Sequence, residues 1–457
     1  MKSQKKNILI SAGVLGIGAF FVKFIGAIYR IPLTNILKCD GIGLYQMVFP
    51  VYALLLDFSG AGVPSALSKL IAESNENKEI LSKKYLRVSL RFFGTVGLIF
   101  SLLLLCFSRG ISNLQGNRDA TLAYILLSPS VFLVCLISCY RGFFQGYGKM
   151  KPTAISQIIE QVVKVCVGLL LANLLIKKTP LAVGGATLAI TISEICALVF
   201  LIFIFNKFIK KNKNAQPLGA NCIGGQVVSV RKILKAVIPI TLVGIITPFS
   251  QVIDSFLIVN LLKNTNRATS LYGIYSGVSL TVVNLPVSVC YGLAVTSVPT
   301  ISSSKSEQEK AEKTRYLLRT TFCLSLLASV CVFLTSKPLV RVIFSSLKEE
   351  DRNLSVALIK LLSVMIIFLS LVQTQNSIFI ARGKYYIPLI VMTFSVIVKS
   401  VLEIVLLKIE SINIFGGAIA LITCYFIAFL LNCILIKRCG ERNASKNHTI
   451  IKHSNRK

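Results

Sequence analysis

Two lysines, Lys164 and Lys399, stand 235 residues apart, each inside a long apolar run, VVKVCVGLL and VIVKSVLEIVLL. Each follows the same landmark: Gly148-Lys149 and then Pro152 before the first, Gly383-Lys384 and then Pro388 before the second. A charge at the centre of a hydrocarbon layer costs roughly 2.5–3.5 kcal/mol, so a cation there faces a water-filled cavity or a partner. An acid stands one helical turn from each lysine, Glu160 before Lys164 and Glu403 after Lys399. At i, i+4 spacing the charges either cancel each other on an interior face or line a site together. The first apolar run adds Lys23 and Arg30. Arg30, near the end of that run, either joins the site or snorkels to the headgroups. A cavity lined by Lys23, Lys164 and Lys399 would favour an anionic substrate such as a lipid-linked pyrophosphate. Three more carboxylates, Asp57, Glu194 and Asp254, lie in apolar runs. A carboxylate beside a cation can bind H⁺ or Na⁺ and couple a transport cycle, or it can serve as a plain counter-ion. The candidate substrate-binding residues are thus Lys23, Arg30, Lys164 and Lys399. The candidate coupling or charge-partner residues are Asp57, Glu160, Asp254 and Glu403.

The elements that must hold these groups are transmembrane helices. Of the 457 residues 54% are hydrophobic and only 15% charged, and mean hydropathy is +0.74. Apolar runs of about twenty residues, the length that crosses a bilayer core, recur along the chain. Twelve spans are read near 8–36, 43–70, 86–108, 120–141, 153–176, 183–206, 236–262, 271–300, 316–336, 354–381, 386–407 and 414–436. The first is too long for a signal peptide's apolar core and reads as a retained span. Six spans precede a charged link and six follow it, which gives two pseudo-symmetric lobes of like orientation. The expected organisation is a lobe at 1–210, a cytoplasmic linker at 211–235, a lobe at 236–437 and a basic tail at 438–457. Other echoes follow in the same order: Leu44-Tyr45 with Leu271-Tyr272, Val63-Pro64 with Val298-Pro299, and Gly184-Gly185-Ala186 with Gly416-Gly417-Ala418. Pro50, Pro129, Pro239, Pro248 and Pro286 fall inside spans and predict kinks, which suit either alternating access or an irregular bundle. The stretch QVVSVRKILKA at 226–236 reads either as an amphipathic surface helix or as a charged linker.

Charge placement orients the chain. Lys and Arg number 50 against 18 Asp and Glu, a net +32. With the N-terminus inside, 32 of the 50 fall in inner segments and 12 in outer loops, so both termini are expected in the cytoplasm. Nucleic-acid binding is not supported, because no basic stripe alternates with exposed aromatics. The 13 cysteines include no CxxC pair and read as small buried hydrophobes. The two histidines, His448 and His453, lie in the basic tail, which removes a histidine triad or an intramembrane histidine metal site. No metal site, cofactor or catalytic constellation is read, and an enzyme is not expected.

The segment GIGLYQMVFPVYALLLDFSGAGVPSALSKLIAE at 41–73 resembles the second-helix signature of the stage V sporulation protein B family. That family is a MurJ-like branch of the multidrug, oligosaccharidyl-lipid and polysaccharide (MOP) flippase superfamily. YRGFFQGYGKMKPTAISQIIEQ at 140–161, ITPFSQVIDSF at 246–256 and VNLPVSVCYGLAVTSVPTIS at 283–302 carry the likeness over nearly the whole chain. The resemblance implies an all-α, MATE-like integral membrane protein of the bacterial plasma membrane, acting as a monomer. It also implies outward transport of a lipid-linked cell-wall or polysaccharide precursor, including lipid II or a spore-cortex precursor. Lys23 occupies a place similar to the essential first-helix arginine of MurJ-like proteins. Asp254, Glu403 and Thr423 fall near positions that bind Na⁺ in some relatives, while Lys399 stands where a neutral ligand is expected. MurJ-like relatives usually have fourteen helices, against the twelve read here. The expected function is therefore a flippase for a lipid-linked oligosaccharide or peptidoglycan precursor, working by alternating access among membrane lipids. Two alternatives remain, a cation-coupled multidrug (MATE-type) antiporter and a non-transporting membrane scaffold of wall synthesis.

Overall fold

The computed structural model describes residues 2–60, 62–74, 78–213, 230–265, 267–302, 306–384 and 386–454. Within these, side chains are left undescribed at 2–24, 211–213, 293–302, 439–454 and some isolated positions. Thirteen α-helices are seen among the described residues: α1 Lys2–Gly60, α2 Val63–Glu73, α3 Lys78–Leu114, α4 Thr121–Gly146, α5 Met150–Leu174, α6 Thr179–Lys213, α7 Val230–Leu261, α8 Ala268–Tyr272, α9 Leu280–Ser302, α10 Glu307–Ile343, α11 Glu349–Ala381, α12 Tyr386–Leu407 and α13 Phe415–Ser454. Eleven helical segments among the described residues are long and apolar enough to cross a membrane. The first of them begins at Ile28, so most of the expected span at 8–36 lies outside that count.

Local chemistry explains the breaks. Helix α1 is two helices joined at Lys38, whose φ of 56° and ψ of −168° interrupt the ladder between the first two expected spans. The second expected span is itself broken, since α1 ends at Gly60 and α2 starts at Val63. Glycine at 60 and 62 weakens the helix, and Pro64 has no amide hydrogen but fits a helix's first turn. The eighth expected span carries a π-helical stretch at Gly273–Ser279, where bonding widens to i→i+5. The stretch 226–236 contains no separate surface helix within its described part, because Val230 onward is the first turns of α7; residues 214–229 lie outside the described residues.

The two Gly-Lys landmarks fold alike. After α4, Gly148 has φ +70°, its N–H donates to Gln145 O at 2.8 Å and Lys149 N–H donates to Phe144 O at 2.9 Å. After α11, Gly383 has φ +72°, its N–H donates to Ile380 O at 2.9 Å and Lys384 N–H donates to Phe379 O at 2.9 Å. Each is a Schellman turn with glycine in the left-handed region. A Cβ on either glycine would meet nothing within 4 Å, so only the backbone resists substitution. Gly148→Ala and Gly383→Ala are each expected to cost about 1–2 kcal/mol. Thermal unfolding in detergent checks this, with similar losses for the two variants.

The residues divide into two compact units, 1–260 and 261–457, so α7 groups with the first. In the first unit α2 packs on α4, and the Gly62 turn before it meets α7. A Cβ on Gly142 would come within 3.0 Å of Leu67 Cβ, and one on Gly146 within 2.6 Å of Ile71 Cβ. A Cβ on Gly62 would come within 2.7 Å of Val237 O. Small residues thus let the backbones approach, which is how helices pack where lipid is as apolar as leucine. Pro50 lacks the N–H that would bond one turn back and loosens the α1 ladder there. Nearby, Met47 O accepts from Gln115 Nε2 and Tyr124 Oη, each at 3.1 Å. Gln115 also donates to Ser255 Oγ at 2.9 Å, which ties the end of α3 to α7. In the second unit Ser306 accepts from Glu309 N–H at 3.1 Å and caps α10, while Arg267 pairs with Asp351 at the start of α11.

Candidate functional site

In the first unit, side chains from α1, α4, α5 and α6 form one polar cluster inside the membrane-spanning region. Arg30 is half-buried, with its guanidinium carbon 5.6 Å from the Phe49 ring centre. Phe49 belongs to an aromatic row along α1, 5.9 Å from Tyr45 and 6.1 Å from Tyr52. This row draws Arg30 onto a ring face by cation–π attraction. On α5, the Lys164 ammonium lies 6.0 Å from the Tyr29 ring centre. Tyr29 is buried because Gly168, one turn beyond Lys164, leaves room for its hydroxyl, which a Cβ there would clash with. Among the described residues Lys164 makes no ion pair, while Arg30, Glu160 and Glu194 all lie within its electrostatic reach.

The expected Glu160–Lys164 pair is replaced by a cross-helix one. Arg141 Nη2 donates to Glu160 Oε2 at 2.9 Å, and Arg141 Nε donates to Ser156 Oγ at 3.0 Å. Arg141 approaches from α4 in fork geometry, whereas Lys164 shares Glu160's own helix and must bend back to reach it. On α6, Glu194 is 1% exposed and accepts from the Tyr52 hydroxyl. Beside it Ser130 and Thr191 hydroxyls lie 2.9 Å apart. Arg141 and Tyr52 were missed from the sequence as site residues. Arg141 stands in the motif YRGFFQG, where its neighbours suggested an inner segment; only the 19-residue link to Glu160 reveals its role.

The remaining candidates are dispersed. The Lys23 side chain lies outside the described residues. Asp57 is partly buried on α1 and faces Gly244 of α7, where an added Cβ would lie 3.5 Å from its Oδ2. Asp254 is buried on α7. In the second unit Lys399 and Glu403 are both 0% exposed on α12, one turn apart. The Thr423 hydroxyl donates to Ile419 O of its own helix at 2.9 Å, so its proton is spent within α13. Among the described residues no group of three or more His, Cys, Asp or Glu could hold a metal ion.

A family model described as polysaccharide biosynthesis protein matches residues 8–305. The chain belongs to the polysaccharide biosynthesis protein family. A second model, MatE, matches residues 239–405. Stage V sporulation protein B of Bacillus subtilis (strain 168) is 27% identical over 444 residues, covering 94% of the chain and 82% of that relative. Lipid II flippase MurJ of the same organism is 25% identical over 460 residues, covering 95% of the chain and 83% of that relative. Among solved structures, an inward-facing multidrug resistance MATE family transporter of the MOP superfamily aligns with a TM-score of 0.67 at 13% identity, over 91% of this chain and 95% of that one. The chain is therefore an all-α, multi-pass plasma-membrane transporter of the MOP superfamily with a MATE-like fold.

Proposed function

We propose that this transporter moves a lipid-linked oligosaccharide or peptidoglycan precursor across the plasma membrane by alternating access. The observation that carries the reading is Lys164. Its ammonium sits in a spanning helix beside a ring face, with Arg30 near and without an ion pair among the described residues. The two acids closest to it are engaged elsewhere, Glu160 by Arg141 and Glu194 by Tyr52. A cation left in this state suits a pyrophosphate, whose oxygens accept charge-assisted hydrogen bonds. The Bacillus subtilis relative named lipid II flippase MurJ supports the same substrate class. Cytoplasmic termini and two six-helix lobes separated by the linker at 211–235 belong to this proposal, as does membership of Lys23, Arg30 and Lys399 in the substrate path.

A second reading is a cation-coupled multidrug antiporter. It is favoured by the MatE match at 239–405 and by the fold shared with a multidrug transporter. In that case Asp57, Glu194 and Asp254 would face the substrate and the lysines would be counter-ions. Purified protein in vesicles separates the two. Protein-dependent movement of a fluorescent lipid-pyrophosphate-linked oligosaccharide, with no uptake of a cationic dye, is expected. Dye movement without lipid movement would overturn the flippase reading.

A further inference from the structure

Helices α3 and α10 carry the same surface stripe, one in each unit. On α3 it runs through Arg87, Arg91, Leu98, Leu102, Leu105 and Arg109. On α10 it runs through Arg315, Arg319, Leu326, Val330, Phe333 and Lys337, at a constant offset of 228 residues. With 3.6 residues per turn, each set falls within about 60° of its helix's circumference and so forms a single face. Every one of these side chains is exposed, the apolar ones by between 41% and 50%. Both helices are long and apolar enough to cross a membrane, so a leucine-rich face of this kind meets lipid. No charged residue stands between Arg91 and Arg109, or between Arg319 and Lys337. Each of these pairs is separated by about 27 Å of helix rise, close to the roughly 30 Å of a hydrocarbon core. The cations therefore sit at its two borders.

The N-terminal border is more than a run of positive charge. Lys83 Nζ lies 2.6 Å from Glu79 on α3, and Lys313 Nζ lies 2.6 Å from Glu309 on α10. The arginines that follow are left over. Among the described residues none of Arg87, Arg91, Arg315 and Arg319 makes an ion pair, even though Glu312 stands one turn before Arg315. Two guanidinium groups one turn apart are neighbours on a helix surface, and their planar forks suit phosphate oxygens. Tyr316, 74% exposed beside Arg315, adds an aromatic of the kind that sits at headgroup level. We propose that α3 and α10 each bind one anionic phospholipid. Its phosphate is held by Arg87 and Arg91 on α3, or by Arg315 and Arg319 on α10, and its acyl chains lie along the apolar stripe below. Arg109 and Lys337 reach the opposite border by snorkelling. These sites lie on the lipid-facing surface and stand independently of which substrate is moved.

The test uses the full-length protein in detergent, titrated with phosphatidylglycerol or with phosphatidylcholine and read by native mass spectrometry. Two phosphatidylglycerol molecules are expected to bind about tenfold or more tightly than phosphatidylcholine. Arg87→Gln with Arg91→Gln should remove one of them, and Arg315→Gln with Arg319→Gln the other. All four replacements together should remove both. Because the four side chains are exposed, thermal unfolding in phosphatidylcholine is expected to match the wild type. Equal binding of the two lipids by the wild type would overturn the proposal, as would unchanged phosphatidylglycerol binding when all four arginines are replaced. Should that variant fail to fold, the two paired variants decide, each by the loss or retention of one bound lipid. Excess inorganic phosphate is expected to leave the lipid in place, since it has no chains to occupy the stripe. Displacement of the lipid by phosphate would assign the arginines to the free anion and overturn the lipid sites.

Discussion

Lys399→Met is expected to destabilise the protein by about 3–5 kcal/mol, the cost of taking away one of two opposite charges buried on the same face of α12. Lys399 and Glu403 are fully buried in α12, among Val391, Val396 and Leu407. Four residues apart, they are separated by about 6 Å of helix rise and share a face. Methionine fills much of the lysine's volume, so little of the loss comes from a cavity. What remains is a buried carboxylate with one cation fewer on its helix face. Lys399→Met/Glu403→Leu is expected to recover most of the stability, because an apolar pair of similar volume carries no desolvation cost. Thermal unfolding of the single and double variants in detergent checks both statements. A single variant that unfolds like the wild type would mean the two charges do not depend on each other. Export in the same variants then sorts the roles. If the double variant is stable but moves no lipid, Lys399 serves the substrate path; if it is stable and active, the pair is architectural.

The duplication was legible because its markers are backbone-determined. A glycine that must adopt φ near +70° before the next helix leaves a trace at both Gly148 and Gly383, and the lysines follow at fixed helical distance. Long apolar runs likewise fixed the helical class, since a backbone in lipid has to bond within itself. Partnerships between helices were not legible. Glu160 has two basic neighbours, Lys164 at one turn and Arg141 nineteen residues back, and only the packing of α4 on α5 decides for Arg141. The break after Gly60 was within reach, as Gly60, Gly62 and Pro64 stand together in the motif that carried the family resemblance. The π-helical stretch at Gly273–Ser279 leaves no compositional sign. Nor does the grouping of α7 with the first unit, which depends on contacts such as Gly62 against Val237 and Gln115 with Ser255.

Lys164→Gln is expected to slow lipid-pyrophosphate movement by about 10- to 100-fold while leaving thermal stability nearly unchanged. A hydrogen bond to a charged group contributes about 1.5–3 kcal/mol, and each 1.4 kcal/mol is tenfold. Stability should fall by less than about 1 kcal/mol, since the lysine's visible contact is the Tyr29 ring at 6.0 Å and no ion pair is broken. Glutamine keeps the length and a donor but removes the charge, so the variant isolates electrostatics from packing. Lys164→Arg keeps the charge yet brings a planar fork that would compete with Arg141 for Glu160, and partial activity is expected. The same residue type at equivalent places in the repeat is fully buried beside an acid in one unit and faces a ring without an ion pair in the other. Symmetric sequence has thus been given different surroundings in the two units. If Lys164→Gln instead lost its fold and Lys399→Met only its transport, these assignments would exchange, and the substrate path would have to be drawn through the second unit.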